Sequence, residues 1–221
     1  MILFFSTAFV TAALAQPYRP NDKQQALEWA IEMLMIAGFH SEYNNNSRDF
    51  MLRWETPLRI SISGEYTRND MAALKRFIKQ LNERVTWLPD VSLVSSEDKA
   101  NIIITMANLD ELIDYEPDYE EGNWGYFTFW YDDYKINHAN IVIASDVTTQ
   151  EERNHLIMEE LTGALGLSND ITEFSDSIIT QEWTTLQDLS PLDWHMLNIL
   201  YEPWLYPGIT ANEAYSVLMG Q

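Results

Sequence analysis

The sequence predicts a single α+β domain in which a mixed sheet packs on a central helix, with further helices toward the C-terminus. Three observations predict it. Residues 58–64 alternate strictly, Leu58, Ile60 and Ile62 against Arg59, Ser61 and Ser63, as a half-buried strand does. Residues 149–166 read as a capped helix that stops at a glycine. Residues 190–201 form a second capped helix after all the strand signals have passed.

In chain order, Met1 to Ala15 is apolar and uncharged, and Ala13-Leu14-Ala15 has the A-x-A form of a signal-peptidase site. Residues 1–15 are therefore expected to be a signal peptide, with a periplasmic or secreted mature protein. The run is too short for a good membrane span, and no membrane span is expected once it is cleaved. Residues 16–50 are assigned to an N-terminal helix and loop, and 51–221 to the main domain. Asn21 or Asp22 caps a helix over about 23–37, with Ala26, Leu27, Ala30, Ile31, Leu34 and Met35 at helical spacing and Gly38 as its stop. Ser41 to Asp49 is a polar loop.

After the strand at 58–64, Thr67-Arg68-Asn69-Asp70 has the form of a capping box. It opens an amphipathic helix to about Val85, with Met71, Leu74, Ile78 and Leu81 inward and Lys75, Arg76, Lys79 and Arg84 outward. Residues 91–94 and 101–105 read as strands, and 109–115 as a short helix or turn. Asp114 to Gly122 is an acidic loop whose Pro117 and two tyrosines break the spacing of a calcium loop. Residues 125–131 and 139–144 read as a strand pair linked by 132–138, giving an αβαβββ order before the helices.

Thr148 with Glu151, or Thr149 with Glu152, starts the central helix. Ile157, Leu161, Ala164 and Leu165 share the face expected to pack on the sheet. His155, Glu159 and Gly163 fall on the other side, with Glu160 on the shoulder between. His155 and Glu159 read either as a solvated i,i+4 pair or as two metal ligands needing a third, such as Asp170 or His195. Gly163 costs about 1 kcal/mol relative to Ala inside a helix, so it marks either a close backbone approach or a lost ligand position. Gly166 takes the left-handed conformation that ends the helix, and Asn169-Asp170 stabilise the return turn. Glu160 borders the apolar face and is the candidate catalytic carboxylate. Ser190, Pro191 and Asp193 form the start of the last long helix, and Pro203 ends it.

Composition excludes several classes. Acidic residues number 34 against 13 basic ones, a net charge of −21, which repels nucleic acid and favours basic partners. The absence of cysteine excludes disulfides, thiol catalysis and lipid attachment at cysteine.

Glu159-Glu160-Leu161-Thr162-Gly163-Ala164-Leu165-Gly166-Leu167-Ser168-Asn169 resembles the metzincin pattern His-Glu-x-x-His-x-x-Gly-x-x-His in frame. The three histidines fall on Glu159, Gly163 and Asn169, and the general base on Glu160. The segment Leu189 to Tyr201 resembles the last helix of matrixin-type domains, and Asp176-Ser177-Ile178-Ile179 lies at the methionine turn, with Ile in place of Met. Together with Arg53-Trp54 these motifs resemble an uncharacterised proteobacterial family of exported proteins, grouped with the zincin-like metallopeptidases, across about 53–214. That pattern has Gln where this chain has Gly163. The resemblance implies a zincin-like (metzincin-type) fold with a degenerate zinc site. Such a protein is expected to be non-catalytic, with no cofactor, and to bind a peptide or cell-envelope partner. The alternative is a divergent hydrolase with Glu160 as general base, with or without zinc on His155, Glu159 and Asp170.

Overall fold

The computed structural model describes residues 15–39 and 49–220. The expected signal peptide, apart from Ala15, and nearly all of the polar loop at 41–49 lie outside the described residues. No described helix is long and apolar enough to cross a membrane.

The elements are α1 (Lys23–Phe39), β1 (Arg53–Trp54), β2 (Leu58–Gly64), α2 (Arg68–Arg84), β3 (Val91–Leu93), β4 (Ile102–Ala107), α3 (Leu112–Tyr115), β5 (Gly125–Asp132), β6 (Lys135–Ala144), α4 (Gln150–Ala164), α5 (Pro191–Leu200) and α6 (Ala211–Met219). The sheet runs β3-β2-β4-β6, all parallel, with the short β1 also parallel to the start of β6. Strand β5 pairs antiparallel with the other side of β6. The sheet is thus mixed, as expected, and parallel pairing explains why the inner strands are apolar runs.

Helices α2 and α4 pack against each other, and α4 lies over β5 and β6. Leu58, Ile60, Ile104, Ile141, Phe77 and Leu161 are buried in one continuous core, which α1 enters through Ala30, Ile31 and Leu34. A smaller cluster of Leu112, Tyr119, Tyr126 and Val142 covers part of the opposite face. Burial, then the neighbouring carboxylates Glu120, Glu116 and Asp118, push the Tyr126 phenol up to about 12.

Several expectations need correction. Helix α1 continues to Phe39, so Gly38 is inside it and not its stop; Asp22 does cap it, its carboxylate accepting from Gln25 N (2.9 Å). The inward face of α2 is Asp70, Ala73, Leu74, Phe77, Ile78 and Leu81, with Met71 only half-buried. The link between β5 and β6 is a two-residue turn, because Asp133 and Tyr134 adopt φ of 47° and 62° and let β6 begin at Lys135. The αβαβββ order misses β1, which has only two residues, and counts one strand too few after α2.

Helix α4 begins where expected, with Thr149 and Glu152 forming a reciprocal capping box. Its packing is not one-sided, however. His155, Leu156, Met158, Glu160 and Gly163 are buried as well as Ile157, Leu161 and Ala164, because sheet, α2 and the segment after α4 enclose it.

Candidate functional site

The C-terminal end of α4 is where the distant motifs converge. Its last carbonyls would be orphaned in the core. Trp54 Nε1 donates to Ala164 O (2.9 Å) and the Tyr201 hydroxyl to Leu165 O (2.8 Å). Burial holds the Tyr201 phenol far above its ordinary range, which keeps it a donor. Arg53 in turn donates to the carbonyls of Leu200 and Glu202. Gly166 turns the chain at φ 120°, and a Cβ there would stand 2.8 Å from Leu52 O. The expected role of Gly166 is therefore found, with close backbone approach added to conformation.

The segment after α4 is fixed from α5. Asp193 is fully buried and accepts from Ser177 Oγ (2.6 Å), Ile178 N (3.0 Å) and Ser190 N (2.7 Å). One carboxylate thus caps α5 and pins the turn at 176–179. Burial outweighs these hydrogen bonds and raises its pKa. From that turn the chain runs into residues 179–183, which form one wall of a cavity of about 380 Å³.

The opposite walls are α4 and the start of β5. Glu159, Glu160, Gly163 and Asp170 all line this cavity, with Trp124, Phe127, Leu156, Leu167, Thr180, Glu182 and Trp183. Four lining residues are carboxylates and none is Lys, Arg or His, so the cavity carries a concentrated negative field. Glu160 is 8% exposed, and Gly125 lies beneath it: a Cβ there would collide with its carboxylate and come within 2.9 Å of Leu156 Cδ2. Thr180 is 4% exposed, and its hydroxyl is buried with no hydrogen-bond partner among the described residues.

His155, Gly166, Asn169 and His195 do not line the cavity. His155 is only 2% exposed, which corrects the solvated pair. Its Nδ1 faces Leu186 O (3.1 Å), an acceptor only, so the proton sits there. Nε2 then faces Glu159 Oε2 (3.4 Å) and the Thr184 hydroxyl (3.5 Å). With its proton on Nδ1 the ring has no hydrogen on Nε2 for Glu159, so that contact is an ion pair only in the imidazolium form. Its ring also supports Trp183 edge-on (5.8 Å), which meets Trp124 edge-on in turn (5.2 Å). His195 is exposed on α5 beside the Tyr18 hydroxyl (3.4 Å), away from the cavity.

Gly163 does not face away from the sheet. A Cβ at Gly163 would collide with the Phe127 ring, whose Cζ would be 2.6 Å away. The close approach is by an aromatic side chain and not by another backbone. A ring therefore fills the space over the position where the metzincin pattern has its second histidine.

Zinc does not fit the residues present. Gly163 offers no ligand, Asn169 Nδ2 donates to Asp170 O (2.9 Å), and both ring nitrogens of His155 are taken up by protein groups. The set His155, Glu159 and Asp170 is not gathered: among the described residues no three His, Asp or Glu side chains come together to hold a metal ion.

Residues 180–183, Asn123 and Trp124 escaped sequence reasoning, because nothing local marks them; the Trp124–Trp183 contact joins residues on either side of α4 in the chain. Among the β5 aromatics, Phe127 lines the cavity.

Residues 33–220 match the model of a family described as "Protein of unknown function (DUF2927)". No curated protein matches the chain. Solved structures are similar to it, among them two of myroilysin and one of a hatching enzyme. One structure of myroilysin aligns at TM-score 0.44 and 12% identity, covering 86% of this chain and 99% of its own. Another aligns at TM-score 0.42 and 13% identity, covering 67% and 95%. High choriolytic enzyme 1, a hatching enzyme zinc-protease from Oryzias latipes (Medaka fish), aligns at TM-score 0.39 and 12% identity, covering 67% and 94%.

Proposed function

We propose, from the premise that this chain belongs to the DUF2927 family, that it is an exported, zincin-like protein of a proteobacterial envelope. Its metal site has been replaced, and its cleft binds a peptide or protein partner without cleaving it. The observation that carries this reading is the Phe127 ring over Gly163. An apolar ring occupies the place where a second metal ligand would stand, beside a cavity lined by both carboxylates and apolar side chains.

The cleft has the features of a strand-addition site. Trp124 O accepts from Ala144 N (2.8 Å), so the register makes Trp124 and Tyr126 the residues bonded to β6. Gly125 and Phe127 then direct their backbone groups to the outer edge of β5, and among the described residues no strand pairs there. An extended peptide can add to that edge and turn alternate side chains into the cavity. The test is a binding screen of blocked pentapeptides against the purified chain, repeated with N-methylated peptides. Binders should lose affinity when alternate amides are methylated. Indifference to methylation at every position rejects strand addition.

A second reading rests on Glu160. A carboxylate 8% exposed on a cavity wall is placed to act as a general base in a divergent hydrolase. Peptide cleavage by the wild-type chain, lost in Glu160→Gln at unchanged melting temperature, selects this reading over the first.

A further inference from the structure

We infer that the outer face of α2 is a docking surface for an anionic lipid bilayer. This is independent of the cleft and concerns where the molecule rests.

The chain has 34 Asp and Glu for 13 Lys and Arg, so a cation on this surface should find a partner easily. Elsewhere several do: Arg19 pairs with Asp176, Arg53 with Glu55, Lys135 with Asp133 and Arg153 with Asp70. Helix α2 carries five of the 13, and its Arg68, Lys75 and Arg76 are exposed with no carboxylate partner among the described residues. Lys79 reaches only Glu83, at 3.6 Å with both side chains mostly exposed, a contact worth little in water. At 100° per residue Arg68, Lys75 and Lys79 fall within about 40° of one another, with Arg76 about 60° to one side. The two acids of α2 do not offset this row: Asp70 is buried and bound to Arg153, and Glu83 stands beyond Lys79. Asp188, from the segment before α5, accepts from Gln80 Nε2 (3.1 Å) at the flank of the row. The face is the convex outside of a helix, and its cations sit on long flexible stems. Headgroups that diffuse in a bilayer gather to such a row, whereas a folded acidic partner needs matched positions. Tyr66, just ahead of α2, is 41% exposed, and Trp87, just after it, is 56% exposed. These are amphipathic rings of the kind that sit at headgroup level. The net charge of −21 opposes approach at long range, but at physiological salt only charges within about 8 Å act strongly. The acidic segment 110–121 packs through Leu112 and Tyr119 on the opposite face of the sheet, while Phe77 of α2 sits in the main core. A helix about 10 Å across and the sheet therefore stand between that segment and a surface touching α2.

The experiment is co-sedimentation of residues 16–221, which contain every element of the fold, with lipid vesicles. One set is phosphatidylcholine alone, and the other carries about 40 mol% phosphatidylglycerol. Each is run at low salt and at about 500 mM NaCl. Polyglutamate is titrated in parallel. Binding to the anionic vesicles should be at least tenfold tighter than to the neutral ones at low salt, and the two should become nearly equal at high salt. Each cation near the surface strengthens binding about fivefold. The combined change Lys75→Gln, Arg76→Gln and Lys79→Gln should therefore weaken it about a hundredfold. Lys135→Gln, at the start of β6, should leave it unchanged. Melting temperatures identify any variant that fails to fold. Equal partition onto both vesicle types at low salt, or a folded triple variant that binds as wild type does, overturns the inference. Binding of polyglutamate without binding of anionic vesicles also overturns it and assigns the face to an acidic protein. Binding of neither probe overturns it outright. None of these outcomes bears on the cleft.

Discussion

Substituting Asp70 by Asn should destabilise the protein by about 3 kcal/mol at neutral pH. Asp70 is fully buried at the third position of α2. Its Oδ2 accepts from Thr67 N (2.6 Å), and its Oδ1 accepts from Gln150 Nε2 (2.6 Å) and Arg153 Nε (3.1 Å). One carboxylate thus caps α2 and ties it to the first turn of α4, the helix that carries Glu159 and Glu160. An Asn amide reproduces one oxygen and turns an NH₂ toward donors in place of the other. Removing one partner of a buried ion pair costs roughly 3–5 kcal/mol. Arg153 also donates to Thr148 O (2.6 Å), which keeps it partly satisfied and favours the lower end of that range. For a chain of this size about 3 kcal/mol lowers Tm by roughly 6–12 °C.

The pH dependence gives an independent check. Burial raises the Asp70 pKa, but the hydrogen bonds from Thr67, Gln150 and Arg153 outweigh it and hold the carboxyl below its ordinary value of 3.8. The unfolded chain therefore binds this proton more readily. The stabilisation is complete above the unfolded pKa and is lost as pH falls through the folded one. Urea unfolding of wild type and Asp70→Asn at pH 7 and pH 3, followed by tryptophan fluorescence, measures both effects. The difference in stability should shrink at pH 3. A loss below about 1 kcal/mol at pH 7, or an equal loss at both pH values, would falsify the argument.

Gly163→Ala should cost stability despite the better helix propensity of Ala, because the Phe127 ring must move. Adding Phe127→Ala should leave the glycine change worth about 1 kcal/mol in the stabilising direction, measured as a double-mutant cycle in urea. Gly166→Ala should cost about 1–3 kcal/mol for φ 120° and the crowding against Leu52 O; a neutral result by calorimetry rejects the account of that turn. Asp193→Asn should follow the opposite pH trend to Asp70. Its folded pKa is raised by burial, so wild-type stability from this group is full below the unfolded pKa and falls as pH rises through the folded one. The penalty of Asp193→Asn should therefore be larger near pH 4 than near pH 8, and the reverse order in denaturation curves sinks the assignment.

The sequence determined those features that depend on neighbours along the chain. The capping boxes at Thr67, Thr149 and Ser190 needed only residues three apart, and all three are formed. The strand at 58–64 and the positive φ at Gly166 were legible for the same reason, but the alternation fails beyond Ile60, where Ser61 is buried and Ile62 only half-buried. The frame at Glu159–Asn169 also pointed to the right helix end, and four of its neighbourhood's candidates, Glu159, Glu160, Gly163 and Asp170, do meet in one cavity. Tertiary structure alone decided what those residues touch. The helical period placed Gly163 and His155 on a face away from the sheet, but a helix enclosed on nearly all sides has no single inner face. Phe127 came to cover Gly163, and Leu186 O to bind His155, through contacts across about 30 residues or more. The Trp183 wall stands where it does because Asp193, on a later helix, holds the turn before it. Such pairings are set by packing and by the need to satisfy buried polar groups, and no local pattern encodes them.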